Sequence, residues 1–432
     1  MTGLKPGLIA AVVATNAAAG IAYAQPQGRQ PAATAQPAPP AQPAQRQYNL
    51  NRAERNALAP LIAAHTAAID ATAAGTPANW AAVEAALPAA EAAAQGDDAK
   101  YLIARVQLAL ALTRNDSTLQ NAALDRLIAN PSSPPEELAR YLNARAEGAF
   151  AANDFAMAER LFGRLLQLTP GDQRVVNNLA IVRRRMGNVA GALDTLLQTI
   201  AAQEAANQTA EESLYRRARD IAYTDRDRRA GEFALRLART YPTPANWRDA
   251  IRIYREISNP SAALTLDAMR LARVAGALQG QADYQSYAEI LHQGALAGEA
   301  KAVLDEGIAR GAIRAQDSAV AQMLASATRR IGEDRTALGP QIAQARAAPT
   351  GRLARAIGDT LYGYGRYGEA AELYRAALGK SGEDRNLLNL RLGAALAMSG
   401  NRAEAETALR AVTGEPAGVA QLWLAWLARR TG

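Results

Sequence analysis

The chain has 432 residues, which is too many for one core, since single cores stop growing near ~250–300 residues; it therefore divides into domains or extends as an array. It is 49% hydrophobic but only 5% aromatic, and with alanine supplying much of the apolar content an all-α fold is expected. The absence of cysteine excludes disulfides, thiolate nucleophiles and Cys-ligated zinc, and a formal charge of +7 over a long surface permits acidic partners without demonstrating any.

Met1 to Lys5 is a short basic start, Gly7 to Ile21 is rich in Ala, Val and Ile, and Ala22-Tyr23-Ala24 gives a small-x-small site before Gln25. Charge, apolar core and A-x-A cleavage site are the order of a signal peptide, so residues 1–24 are expected to be an export signal and the mature protein to be periplasmic or secreted. The alternative is an uncleaved anchor, but the apolar span is shorter than the ~20 residues a bilayer requires. Residues 25–46 are dominated by Pro, Ala and Gln, which bury no core and block helix, so a disordered N-terminal leader is expected there.

From Tyr48 onward the pattern is amphipathic helices of about a dozen residues, broken by Gly, Asn, Asp or Pro, with no convincing period-2 strand. The clearest unit runs from Gly351 to Asp384: Gly358, Leu361-Tyr362, Gly365-Arg366-Tyr367, Ala370, Tyr374, Ala377-Leu378. Small residues at Gly358 and Ala370 allow two helices to cross closely, and Gly365 ends the first of them in a left-handed conformation. Gly393, Gly400, Ala405 and Leu409 repeat the frame, as do Ala146, Asn153, Ala158 and Phe162, then Ala180, Gly187, Ala192 and Leu196, then Ala218 and Ala230. Five units in this frame resemble the tetratricopeptide (TPR) family, which implies a TPR-like α-solenoid of stacked helix-turn-helix repeats. The string Tyr241-Pro242-Thr243-Pro244-Ala245-Asn246-Trp247 and the segments after it are similar to exported TPR proteins of Gram-negative bacteria.

The expected organisation is a signal at 1–24, a linker at 25–46, degenerate repeats at 47–130, TPR units at 131–256, diverged repeats at 257–350, two TPR units at 351–416 and a C-terminal capping helix at 417–432. A terminal repeat exposes its last face, which is why a cap is expected; a partner-binding apolar helix carrying Trp423 and Trp426 is the alternative. Whether the array is one superhelix or two, split within 258–278 or 316–350, stays open, as does its oligomeric state.

Catalytic chemistry finds little support. His65 and His292 stand alone, with no HExxH spacing, so no metal site is expected. Gly363-Tyr364-Gly365-Arg366-Tyr367-Gly368 matches G-x-G-x-x-G but lacks the preceding strand, so no cofactor is expected and it is assigned to a turn. Glu211-Glu212, Glu136-Glu137 and Asp97-Asp98 are read as helix starts, where they complement the dipole.

The resemblance implies an inner groove lined by set positions of each first helix. These are Arg140, Asn143, Glu147 and Phe150, then Arg174, Asn177, Arg184 and Arg185, then Tyr215, Arg219 and Tyr223. Asn and Arg together can grip a peptide backbone and a carboxylate, the latter bidentately. Against this, Asp220, Asp225, Asp227 and Glu232 could neutralise the arginines as a solvated face. The expected function is a non-catalytic scaffold that binds a protein or peptide, an acidic one included, in assembly of a cell-envelope complex. The alternative is an accessory of cell-wall or polysaccharide metabolism that holds an enzyme or glycan. Nucleic acid is not an expected partner, because the basic residues are not interleaved with stacking aromatics.

Overall fold

The structure is a computed structural model and describes residues 46–428. The predicted signal at 1–24, the linker up to residue 45 and the last four residues of the predicted cap lie outside the described residues. Among the described residues there are twenty helices and no strand, one isolated bridge joining Thr350 and Ser381. None of the helices is long and apolar enough to cross a membrane. The chain forms two compact units that part between Asn188 and Val189, inside the block 131–256 rather than at 258–278 or 316–350.

The first unit holds α1 (Arg52–Ala73), α2 (Trp80–Ala93), α3 (Asp97–Arg114), α4 (Ser117–Ala129), α5 (Pro135–Ala151), α6 (Phe155–Leu168) and α7 (Gln173–Arg185). The first six pair as antiparallel hairpins. Asn51 caps α1 in a reciprocal box with Glu54. Glu54 also accepts the backbone N–H groups of Gln95 (2.9 Å) and Gly96 (2.7 Å), so one buried carboxylate joins the first hairpin to the second. Arg46, the last residue of the predicted linker, is docked: its guanidinium lies over Tyr48 (5.2 Å) and Tyr101 (4.9 Å) and meets Asp98 at 3.4 Å.

The second unit holds α8 (Val189–Ala205), α9 (Glu212–Thr224), α10 (Ala230–Thr240), α11 (Pro244–Ser258), α12 (Ala262–Val274), α13 (Gly280–Gln293), α14 (Ala297–Ala309), α15 (Ser318–Ala347), α16 (Gly351–Gly363), α17 (Tyr367–Leu378), α18 (Arg385–Met398), α19 (Arg402–Arg410) and α20 (Ala417–Leu427). The turns that end first helices share one device. After α16, Gly365 takes φ +74° and the next N–H, from Arg366, donates to the Leu361 carbonyl at 2.9 Å. Gly400, Gly187 and Asn153 do the same at the frame positions read from sequence, and Arg226 and Ala295 fill the role where no glycine stands.

The close crossing is also specific. A Cβ on Gly358 would lie 2.8 Å from the Tyr374 ring, and one on Gly393 would lie 2.5 Å from Leu409. The small residue of the first helix thus makes room for the large residue of the second. G-x-G-x-x-G at 363–368 is the α16–α17 turn, flanked by helices.

Two parts of the second unit depart from a simple stack. Residues 318–347 form one helix of 30 residues, running through Pro340, with no repeat frame. The C-terminal helix α20 packs on α18 and α19 as a cap would, but also on α10 and α12. Gly418 meets the Tyr254 ring of α11 so closely that a Cβ would fall 2.5 Å from it. Trp423 is fully buried, so this apolar helix is spent within the unit.

A charge cluster lies in the interior of this unit. Asp267 and Arg270 on α12, Glu299 on α14, Asp359 on α16 and Arg391 on α18 are all buried. Arg391 reaches Asp267 at 3.2 Å and Asp359 at 2.7 Å. Arg270 reaches Glu299 at 2.8 Å and Asp267 at 3.2 Å, and lies 4.4 Å over the ring of Tyr362. The hydroxyls of Tyr287 and Tyr374 donate to Glu299 (2.6 Å) and Asp359 (2.8 Å). Burial pushes Asp267 above the usual carboxylate range, against the pull of Arg391 and Arg270. Burial would lower Arg270, but Glu299 and Asp267 outweigh it and hold the guanidinium well above its ordinary value.

Candidate binding face

In the first unit α5 and α7 are the first helices of their repeats. Pro135 sits in the first turn of α5, where its missing N–H is harmless, and Asp172 caps α7 through the Arg174 N–H at 2.9 Å. On α5, Arg140 is exposed, Asn143 donates to Glu147 at 2.9 Å, and Phe150 lies 5.7 Å from Phe155, partly covered. On α7, Arg184 and Arg185 are exposed in the last turn, where cations suit the C-terminal end of the helix dipole. Asn177 lies two turns before Arg184 on the same side of α7. Its side-chain oxygen is enclosed and has no hydrogen-bond partner.

A second basic surface lies on the other side of this hairpin, where Arg160, Arg164 and Arg183 surround Gly163 and Gln167, with Arg183 bound to Glu159 at 2.8 Å. The repeat frame does not mark it, because Arg160 and Arg164 lie on the second helix α6 and Arg183 falls between the inner positions of α7.

In the second unit the expected groove residues fare differently. Tyr215 is 1% exposed and its hydroxyl donates to Glu204 at 2.8 Å. The ring is core, and its assignment to the groove is corrected here: it packs edge-on to Tyr241, 6.0 Å away, as part of the hairpin joint. Arg219 is held between Asp220 (2.7 Å) and Asp249, so the neutralising reading of this cluster describes it. Tyr223 is exposed, but its hydroxyl donates to Glu256 at 2.6 Å and accepts from Arg252 at 2.9 Å. Arg229 is likewise bound to Asp227 (3.0 Å) and Asp194 (3.1 Å). This face is a closed lattice of opposite charges.

The carboxylate pairs lie at helix starts, as read, and have further duties there. Glu137 accepts hydroxyls from both Tyr101 and Tyr141, and Glu212 accepts from Asn246 at 2.9 Å. His65 sits edge-on to Trp80 at 6.1 Å, and its Nε2 has no partner. Burial, helped by the charge of Arg105, pushes its pKa down to about 4.

Antiparallel helix pairs with a small-to-large crossing and a left-handed turn residue recur through both units. The fold is of the TPR kind. No family model and no curated protein matches the chain. Among solved structures, this TPR-like chain is similar to one of Naa15/Naa10 bound to HypK-THB, at 15% identity over 83% of this chain and 58% of that one, with a TM-score of 0.40. It therefore spans less than two thirds of that chain's length. It is also similar to a tetratricopeptide repeat protein from Parabacteroides merdae, at 13% identity over 60% of this chain and 98% of that one (TM-score 0.27). The TPR2AB domain of yeast Sti1, in a structure with pHSP90, gives 14% identity over 67% of this chain and 98% of that one (TM-score 0.25). These are distant likenesses and decide nothing about partners.

Proposed function

We propose that this protein is an exported TPR-like scaffold that binds a protein or peptide on the α5–α7 face of its first unit, in the assembly of a cell-envelope complex. The observation that carries the reading is Asn177, whose enclosed side-chain oxygen lacks a donor beside exposed Arg184 and Arg185. An enclosed acceptor without a partner costs about 1–3 kcal/mol. Turned outward, the half-buried Asn177 amide would accept a peptide N–H laid along α7 and recover that energy, while Arg140 and Arg184 take a carboxylate on the peptide. The export half of the reading rests on the charge, apolar core and cleavage-site order of residues 1–24.

A screen of acidic and neutral peptides by fluorescence anisotropy tests the binding half. The double variant Arg140→Glu/Arg184→Glu is expected to weaken the best peptide at least tenfold, and Asn177→Ala severalfold. Equal affinity in all three proteins would remove the face. Cell fractionation with N-terminal sequencing tests export, the expected mature start being Gln25. The alternative, an accessory of cell-wall or polysaccharide metabolism that holds a glycan, has three candidate platforms, Tyr215, Tyr223 and Phe150, and keeps the exposed Tyr223 and the partly covered Phe150 after the loss of Tyr215 to the core. Binding on a glycan array that Tyr223→Ala abolishes would favour it.

A further inference from the structure

In a solenoid each repeat touches its neighbours only. Here Asp267 and Arg391 are 124 residues apart and share a buried ion pair. The helices carrying them are covered on all sides: residues 266–272 of α12 and 390–397 of α18 are each buried without a break, and at 100° per residue such a run spans every face of a helix. In the TPR frame the inner positions of α16 include Arg355, Asp359, Tyr362 and Gly363. Asp359 is bound to Arg391, and Tyr362 lies beneath Arg270. Gly363 faces the backbone of Glu299, so that a Cβ would lie 3.1 Å from its nitrogen. The corresponding positions of α18, Leu390, Ala394 and Ala397, are buried as well.

We infer that α12 and α14 together are a built-in ligand for the inner face of the C-terminal TPR pair, α14 closing it at Gly363 and α12 through Asp267 and Arg270, and that the charge cluster is the lock that holds them in one register. The apolar side chains around α12 and α18 are non-directional and would accept more than one sliding position. The ions would not. Arg391 forks onto Asp267 and Asp359, and Arg270 onto Glu299 and Asp267, so a shift of one turn (about 5.4 Å) leaves buried charges without partners. Two buried cations face three buried carboxylates, and at the rim Arg355 bridges Asp359 (3.2 Å) and Glu383 (2.5 Å). Helices α12, α14, α16 and α18 therefore open and close as one body, and this inner face is closed to outside peptides.

Hydrogen exchange on the full-length chain tests this without any variant. Amides of α12 are expected to exchange with the same opening constant as those of α16 and α18, within about threefold. Independent exchange of α12, tenfold or more faster than α18, would overturn the inference. A second arm replaces the cluster by apolar side chains: Asp267→Leu, Arg270→Met, Glu299→Met, Asp359→Leu and Arg391→Met together. The folded variant is expected to uncouple α12 from α18 by at least tenfold, and unchanged coupling would show that apolar packing alone sets the register. If that variant does not fold, the native chain decides the matter by itself.

Discussion

At Gly358 a methyl group has nowhere to go, because the atom it would meet belongs to a fully buried tyrosine that is itself hydrogen-bonded to Asp359. Gly358→Ala is expected to destabilise the second unit by about 1–3 kcal/mol, read as a lower urea midpoint. The opposite sign is expected at Ala295, a Cβ-bearing residue at φ +55° in the turn after α13. Ala295→Gly relieves a left-handed strain and should raise stability by about 1 kcal/mol. His65 gives the first unit a pH dependence. Its proton is held less tightly in the folded state, with pKa about 4, than in the unfolded chain near 6.5. The stabilisation is thus complete above about pH 6.5 and is lost as pH falls toward 4. Between pH 7.5 and 4.5 the histidine should account for about 2–3 kcal/mol of lost stability. Urea titrations of wild type and His65→Leu at the two values measure it as the difference in pH sensitivity.

Among the elements, legibility followed the repeat frame. The hairpins 139–168 and 351–378 and the turns at Gly187, Gly365 and Gly400 could be read because glycine and alanine sit where helices cross and where a left-handed residue is needed. Helix α15 could not be framed. Its buried residues Val320, Met323, Ala327, Asp334, Leu338 and Ala345 make one stripe with no small-residue crossing point, and Pro340 reads as a break. The helix nevertheless runs through Pro340, which is exposed. At Gly332 and Gly339, on its outer side, a Cβ would meet no atom within 4 Å. Gly332→Ala should therefore stabilise the chain by about 0.5–1 kcal/mol, measurable as a higher thermal midpoint.

For the chain as a whole, sequence periodicity shows which helix faces are apolar but not which distant helices meet. Asp267, Arg270 and Arg391 stand as charges in apolar stretches of sequence, but nothing local singles them out or pairs residues 124 apart. The candidate face was half legible for the same reason. Frame positions named Arg140, Asn177 and Arg184, but burial of Tyr215 and pairing of Arg219 depend on neighbours one repeat away. Removing one member of the buried cluster strands the rest: Arg391→Met is expected to cost about 3–5 kcal/mol, seen as a lowered melting transition of the second unit.

The link between Asp267 and Arg391 also orders events in time. A ribosome adds about 5–20 residues per second, so the 124 residues between them take roughly 6–25 s to make. Throughout that interval α12 has been synthesised and its counter-ion has not. The second unit cannot settle helix by helix as it emerges, and its nascent form spends seconds with an apolar, charged helix awaiting its mate. That interval is a window in which a holdase can capture the chain before it closes.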